Sequence, residues 1–299
     1  MSTVFLGTSE FAAAILKQLA REDELRPALV ITRPDRPSGR GRRLSSPPVA
    51  ELARSLELAL DQPESVNEEA ARQRISALGA VTVVVCAFGA LIKEPLLSEH
   101  DILNVHPSLL PRWRGAAPVE RAIIAGDSET GVSIMRLTAG LDSGPVCLTA
   151  SEAIGADDTY GTLAPRLSAL GGRLLISALK DRPAFREQAQ EGVTYAEKIG
   201  PEDRLLDPTR TAIELERIVR ALHPHIGARL ELDDGLLLGV SAARALAETH
   251  PAGVLAEADG RLLFGARDGS LELLTVKPPG GTAMDAAAYL RGHALPHAG

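Results

Sequence analysis

Asn104 and His106 are separated by one residue and followed at once by a proline, in the run Asn104-Val105-His106-Pro107. On a strand, residues two apart project to the same face, so an amide and an imidazole would converge on one reacting atom. Attack of an amine on a carbonyl needs such a pair, because negative charge builds on the oxygen and positive charge on the nitrogen. The Asn104 amide and a protonated His106 can each donate a hydrogen to that oxygen, and losing one such donor typically costs on the order of 10²–10³ in rate. The amine must also shed a proton, which requires a suitably placed base. A carboxylate near His106 would stabilise the protonated ring and hold its orientation. The best candidate is Asp142, in Leu141-Asp142-Ser143-Gly144-Pro145, where Gly140 and Gly144 permit a tight loop beside a ligand. As residue types alone, the three leave a plain alternative open: a structural histidine, an asparagine that fastens a turn and an ordinary loop carboxylate.

The elements that must position them are legible around them. Pro107 cannot continue a central strand, so a strand over Ile102 to His106 ends there, and ligands of open α/β sheets collect outside the carboxyl ends of the strands. Val4-Phe5-Leu6 runs through Gly7 into the helix-like Phe11 to Lys17. A second apolar run covers Ala28 to Ile31, a helix is expected over Val49 to Arg54, and Val132 to Met135 is strand-like. Val81 to Phe88 is short, β-branched and apolar on both faces, as befits a central strand of a parallel sheet covered by helices. The alternation predicts a Rossmann-like α/β domain with a parallel sheet over residues 1–188. A linker over 189–205 and a smaller domain over 206–299 follow. There, Asp207-Pro208 is expected to open a helix through Ile213 to Arg220, ended by His223-Pro224. Asp234-Gly235, Asp259-Gly260 and Asp268-Gly269 then separate short apolar runs, a hairpin signal that points to a small antiparallel barrel.

The bulk numbers narrow the class. With 299 residues, 45% hydrophobic and 24% charged, the chain suits a soluble globular protein with a sizeable core. Two cysteines, Cys86 and Cys147, with no CxxC pair, argue against a disulfide framework or a zinc site, and no metal is expected. The N-terminus lacks the signature of a signal peptide and no run reaches membrane-spanning length, so a cytoplasmic protein without membrane association is expected. A net charge of −7 argues against indiscriminate binding to nucleic acid. Between Arg33 and Arg43, however, five arginines stand against the single carboxylate Asp35, a local net charge of +4. Gly39, Gly41 and two prolines exclude a regular helix there, so an arginine-rich loop is expected that suits RNA phosphates.

Two other enzyme classes fail on inspection. A dinucleotide fingerprint would need glycine where Ser9 and Ala12 stand, and the second strand runs into Thr32-Arg33 without an acidic ribose ligand. A serine hydrolase built on Ser108, His106 and Asp142 lacks a G-x-S-x-G elbow.

Asn104 to His106, continued by Ser108-Leu109-Leu110-Pro111-Arg112-Trp113-Arg114-Gly115-Ala116-Ala117-Pro118, with Gly126-Asp127, Thr130-Gly131-Val132 and Gly140 to Pro145, resembles the folate-dependent formyltransferase family. The resemblance implies that Asn104, His106 and Asp142 are the catalytic trio. It also implies that Ser108, Leu109, Leu110 and Pro111 border the site of the formyl donor, 10-formyltetrahydrofolate. Nearer the ends, Phe5 to Ala12, Thr32 to Leu44, Thr194 to Ile199 and the barrel resemble the branch of that family that formylates methionyl-tRNA. This implies an OB-type C-terminal domain, transfer to the amino group of methionyl initiator tRNA, and contacts to its acceptor end from Arg36, Arg40, Arg42 and Arg43, with Arg42 foremost. The folate and the tRNA would be its partners, with the chain acting as a monomer. Phe264 is the only Phe in the barrel, so that domain is expected to grip tRNA backbone and shape, with Arg229, Arg244 and Lys277 as candidate contacts. The chain departs from the family pattern at Phe88, where tyrosine is common, and at His223 to Ala228, where Asn-Pro and a tryptophan are usual. Rival readings are formyl transfer to a nucleotide sugar or purine precursor, hydrolysis of the folate to formate, and a noncatalytic tRNA-binding protein.

Overall fold

The computed structural model describes residues 2–38, 43–79, 81–232, 235–293 and 295, with the backbone alone at Ser38 and Arg43. The chain forms two compact units. One comprises Met1–Pro118, Thr130–Ala153 and Ala164–Ala196; the other comprises Val119–Glu129, Ile154–Leu163 and Glu197–Gly299.

The chain opens with β1 (Ser2–Gly7) and α1 (Glu10–Leu19). Ser9 caps α1 by accepting the Ala12 N–H at 3.4 Å, with Glu10 in the first turn and Lys17 in the last to match the helix dipole. There follow β2 (Pro27–Ile31), β3 (Arg36–Ser38), β4 (Arg43–Ser45), α2 (Pro48–Ser55), β5 (Leu60–Asp61), α3 (Glu69–Ser76), β6 (Val81–Cys86), α4 (Leu96–Glu99) and β7 (Asp101–His106). Then come β8 (Arg114–Gly115), α5 (Pro118–Ala125), β9 (Glu129–Arg136), β10 (Val146–Ala153), α6 (Tyr160–Asp181) and β11 (Tyr195–Ala196).

Seven strands form one sheet in the order β10-β9-β7-β6-β1-β2-β5. Strand β6 lies inside it with all six residues buried, as a run apolar on both faces requires. Neighbouring pairs from β5 to β7 are parallel, but β9 runs antiparallel to β7, setting Ser133 opposite His106. The sheet is therefore mixed, which corrects the expected parallel sheet. A parallel β9 would need a long crossover connection, usually a helix laid over the sheet. Val4, Leu6, Ile31, Val83, Val85 and Ile102 share one buried apolar cluster beside the sheet. Cys86 and Cys147 are free thiols, both pushed up in pKa by burial, so neither is a ready nucleophile.

The second unit contains α7 (Ala212–Leu222), β12 (Ala228–Glu231), β13 (Leu237–Leu246), β14 (Leu255–Ala258), β15 (Arg261–Gly265), β16 (Ser270–Lys277), β17 (Met284–Asp285) and α8 (Ala286–Gly292). Its antiparallel sheet has the order β12-β13-β16-β15-β14, with β17 on β16. Leu215, Ile218, Val219 and Leu222 of α7 share a core with Leu238, Val240, Leu262 and Leu273. Asp259 and Gly260 both take positive φ (52° and 75°) to turn β14 into β15, as that dipeptide predicts. Asp268 accepts the Ala212 N–H at 2.9 Å, helping to close the start of α7, while Asp234 of the remaining dipeptide lies outside the described residues. Among the described residues, no helix is long and apolar enough to cross a membrane.

Helix α7 starts at Thr211, not at Asp207-Pro208. Thr211 accepts the Glu214 N–H at 3.2 Å while Glu214 accepts the Thr211 N–H at 2.8 Å, a reciprocal capping box; Asp207 instead turns the chain by accepting the Thr209 N–H at 2.9 Å. Thr211→Ala should cost about 1 kcal/mol at neutral pH. The Thr211 backbone N–H, then its hydroxyl, hold the Glu214 carboxyl below its ordinary value of 4.5. This contribution is therefore full above that value and lost as pH falls through the lowered one. The variant keeps the backbone N–H on Glu214 and loses only the hydroxyl's bonds. Thermal melts of the two proteins should therefore differ at pH 7, and the gap should narrow in acid without closing, because the lost acceptor for the Glu214 N–H does not titrate. A gap that does not narrow would exclude the hydroxyl's bond to the carboxylate.

Candidate active site

Asn104 and His106 lie at the end of β7, 8% and 4% exposed, on a strand buried on both faces, and Pro107 ends the strand as expected. Asp142 stands in the loop between β9 and β10 with a left-handed backbone, φ 43°. One carboxylate oxygen, Oδ1, accepts from Asn104 Nδ2 at 3.4 Å. The other, Oδ2, accepts the Gly115 N–H at 2.9 Å and lies 3.7 Å from His106 Nδ1. The structure thus brings the three sequence-identified residues together around one carboxylate.

The ring is held by a group the sequence did not reveal. His106 Nε2 lies 2.8 Å from the carbonyl oxygen of Trp113, a residue at φ 63°. A carbonyl can only accept, so Nε2 carries the hydrogen and Nδ1 is the nitrogen that faces Asp142. At 3.7 Å that pair is too long for a hydrogen bond. The hydrogen bond that orients the ring therefore comes from Trp113, where the carboxylate was expected to supply it.

The Trp113-Arg114-Gly115 segment is itself fastened. The Trp113 N–H donates to Thr194 Oγ1 at 2.9 Å and the Arg114 N–H to the Thr194 carbonyl at 2.9 Å, while β8 pairs in parallel with β11. Gly115 sits at φ 124°, and a Cβ there would lie 2.7 Å from the Ala196 carbonyl oxygen. Only glycine fits this approach.

Ser108 is fully buried; its hydroxyl donates to the Arg112 carbonyl at 2.6 Å and its carbonyl accepts from Ser133 Oγ at 2.7 Å. The Leu110 N–H reaches the same Ser133 oxygen at 3.2 Å. Ser108 to Pro111 are thus strapped to β9, with Leu109, Leu110 and Pro111 half-buried. Bonded in this way, Ser108 has the geometry of a turn fastener and not of a nucleophile.

The described residues of the arginine-rich segment form a ribbon: β3 and β4 pair antiparallel, Arg36 opposite Ser45 and Ser38 opposite Arg43, where a loop was expected. Its glycines and prolines exclude helix but leave extended backbone open. Arg36 is exposed and 3.8 Å from Glu64. Arg40 and Arg42 lie outside the described residues, as does the side chain of Arg43. Hydrogen bonds from Gln62 and Ser46, with Arg54 nearby, hold the Asp35 carboxyl below the usual range, so its charge is already matched within the fold. In the second unit Arg244 is bonded to Glu272 at 3.0 Å, Lys277 is exposed and Arg229 is half-buried. His225, in the stretch that departs from the family pattern, stacks on Tyr160 with centroids 3.7 Å apart and reaches Glu120 at 2.9 Å. Among the described residues no cluster of three or more His, Cys, Asp or Glu could hold a metal ion.

Comparison with known proteins matches residues 1–179 to the family described as formyl transferase and residues 198–294 to formyl transferase, C-terminal domain. Methionyl-tRNA formyltransferase from Halorhodospira halophila is 44% identical, over 98% of this chain and 96% of that protein. The protein of the same name from Dinoroseobacter shibae is 42% identical, over 99% of each. The chain belongs to the methionyl-tRNA formyltransferase family. Asn104, His106 and Asp142 all fall within the first matched segment. Among solved structures, the N-formyltransferase from Helicobacter canadensis in complex with folinic acid and dTDP-3-aminofucose superposes with a TM-score of 0.65, at 14% identity over 91% of this chain and 98% of that one. This member of the methionyl-tRNA formyltransferase family thus has the two-unit α/β formyltransferase fold.

Proposed function

We propose that this enzyme transfers the formyl group of 10-formyltetrahydrofolate to the free amino group of methionyl initiator tRNA, producing N-formylmethionyl-tRNA for translation initiation. The observation that carries this reading is the meeting of Asn104, His106 and Asp142 at the end of β7, in a chain whose full length matches the family.

The methionyl nitrogen attacks the formyl carbon with its lone pair, the carbonyl electrons move to oxygen, and the carbon–N10 bond of the folate then breaks. The acceptor nitrogen gives up one proton and N10 gains one. Asn104, with one N–H on Asp142, has a second N–H for the oxyanion. His106, with Nε2 engaged by Trp113, offers Nδ1 as the nitrogen that holds or moves a proton. Asp142 stabilises the charged ring from 3.7 Å. Ser108, Leu109, Leu110 and Pro111 border the folate, and the relative solved with folinic acid supports a folate donor.

Arg36, Arg40, Arg42 and Arg43 contact the acceptor end of the tRNA. Residues 1–188 act as the formyl-transfer domain, 189–205 as a linker, and 206–299 as an OB-type domain that grips tRNA. The enzyme works as a monomer in the cytoplasm and needs no metal. Incubation with methionyl-tRNA and 10-formyltetrahydrofolate, with a nucleotide-sugar amine as control, tests the reading: formyl should pass to the tRNA, and transfer to the sugar amine alone would reassign the acceptor.

Arg42→Ala should weaken methionyl-tRNA binding and lower the slope of log affinity against log salt by about 1, the effect of one lost phosphate contact. The folate KM should stay unchanged. Equal damage to both substrates would mean that the segment supports the fold instead.

A further inference from the structure

Gln188 lies beyond the end of α6, 46 residues after Asp142, and is 8% exposed. Its Nε2 donates two hydrogen bonds of 2.8 Å, to the carbonyl oxygens of Asp142 and Gly144. Its Oε1 accepts two from Arg114, at 3.0 Å from Nε and 2.7 Å from Nη2. A guanidinium only donates and a carbonyl only accepts, so the amide has one possible orientation, and in it both N–H groups and both lone pairs are used.

This amide touches both halves of the arrangement around Asp142. Directly, it holds the carbonyl of Asp142 and that of Gly144 while Asp142 keeps a left-handed φ of 43°, a conformation that a residue with a side chain seldom adopts. Through Arg114 it also holds the residue adjoining Gly115, whose N–H binds the Asp142 carboxylate. The carboxylate makes only long approaches to Asn104 and His106, 3.4 and 3.7 Å. Those distances are set by where the loop is held, and a displacement of about 1 Å in such a site can cost about 10²-fold in rate.

We infer that Gln188 is a positioning residue for formyl transfer, fixing the Asp142 loop and the Arg114-Gly115 segment against each other so that the carboxylate meets His106 and Asn104. The inference rests on the formyl-transfer reading of the site. Gln188→Glu keeps an acceptor for Arg114 but removes both donors, so the two carbonyls of the loop lose their partners. It should lower kcat about 10²-fold, with KM for the folate and for methionyl-tRNA each within about 3-fold of wild type, a split that a general loss of structure would not give. In an Asp142→Asn background the same substitution should add less than about 3-fold, because it acts through that carboxylate. A kcat within about 3-fold of wild type, or the full loss repeated in the Asp142→Asn background, would overturn the role. If Gln188→Glu is not obtained folded, Arg114→Lys, which gives up the two-pronged bond to Oε1, carries the same double-mutant cycle, with a first loss of about 10-fold. Wild-type protein that forms no formylmethionyl-tRNA refutes the activity; active wild type with an equally active Gln188→Glu refutes Gln188 alone.

Discussion

Replacing His106 with alanine lowers the turnover of formyl transfer by about 10²–10⁴-fold while methionyl-tRNA still binds. The substitution removes the ring nitrogen that faces the Asp142 carboxylate. It also leaves the Trp113 carbonyl without its donor. None of these groups belongs to the arginine segment proposed to hold the tRNA, so binding and chemistry should separate. Single-turnover formylation at saturating folate reports the first, and equilibrium binding of methionyl-tRNA the second. Because His106 is almost fully buried, a thermal melt must accompany them. Turnover near that of wild type in a folded variant would remove the imidazole from the mechanism.

The second large effect belongs to Asp142→Asn. Both carboxylate oxygens accept hydrogens, Oδ1 from Asn104 and Oδ2 from Gly115. An amide has one accepting end, so either way round it turns an NH₂ group toward a donor and loses one of these bonds. It also removes the negative charge that faces His106 Nδ1. A loss of about 10²–10³-fold in kcat is expected, with a melting temperature lowered by the one hydrogen bond lost. The decisive measurement is kcat against pH for the variant and wild type. If the two profiles coincide in height and shape, the carboxylate has no part in the reaction.

Much of this site was legible from residue types. The β-branched run of β6 and the proline after His106 each carry a local signal, and the structure follows them. The approach of Asp142 to His106 was reachable only as a candidate, since spacing along the chain says nothing of distance across a loop. Strand direction was not legible either. Nothing within Glu129–Arg136 marks it as antiparallel, because direction depends on where the preceding connection travels. At α7 a turn signal at Asp207-Pro208 masked the stronger cap four residues on, where Thr211 and Glu214 satisfy each other's backbone. Gln188 carried no signal at all: one glutamine in a segment without periodicity shows its place only through the four hydrogen bonds it makes to three residues.

The segment from Gln188 to Ala196 bonds to both loops at the end of β7, yet it follows the last residue, 179, of the matched formyl transferase region. A chimera that joins the first matched region to a different C-terminal domain should therefore lose activity if the splice is made at 179. The seven-stranded sheet would be whole, but the Asp142 loop and the Trp113 and Arg114 N–H groups would have lost their anchors. A junction placed after Ala196 keeps every one of those hydrogen bonds on the donor side of the splice.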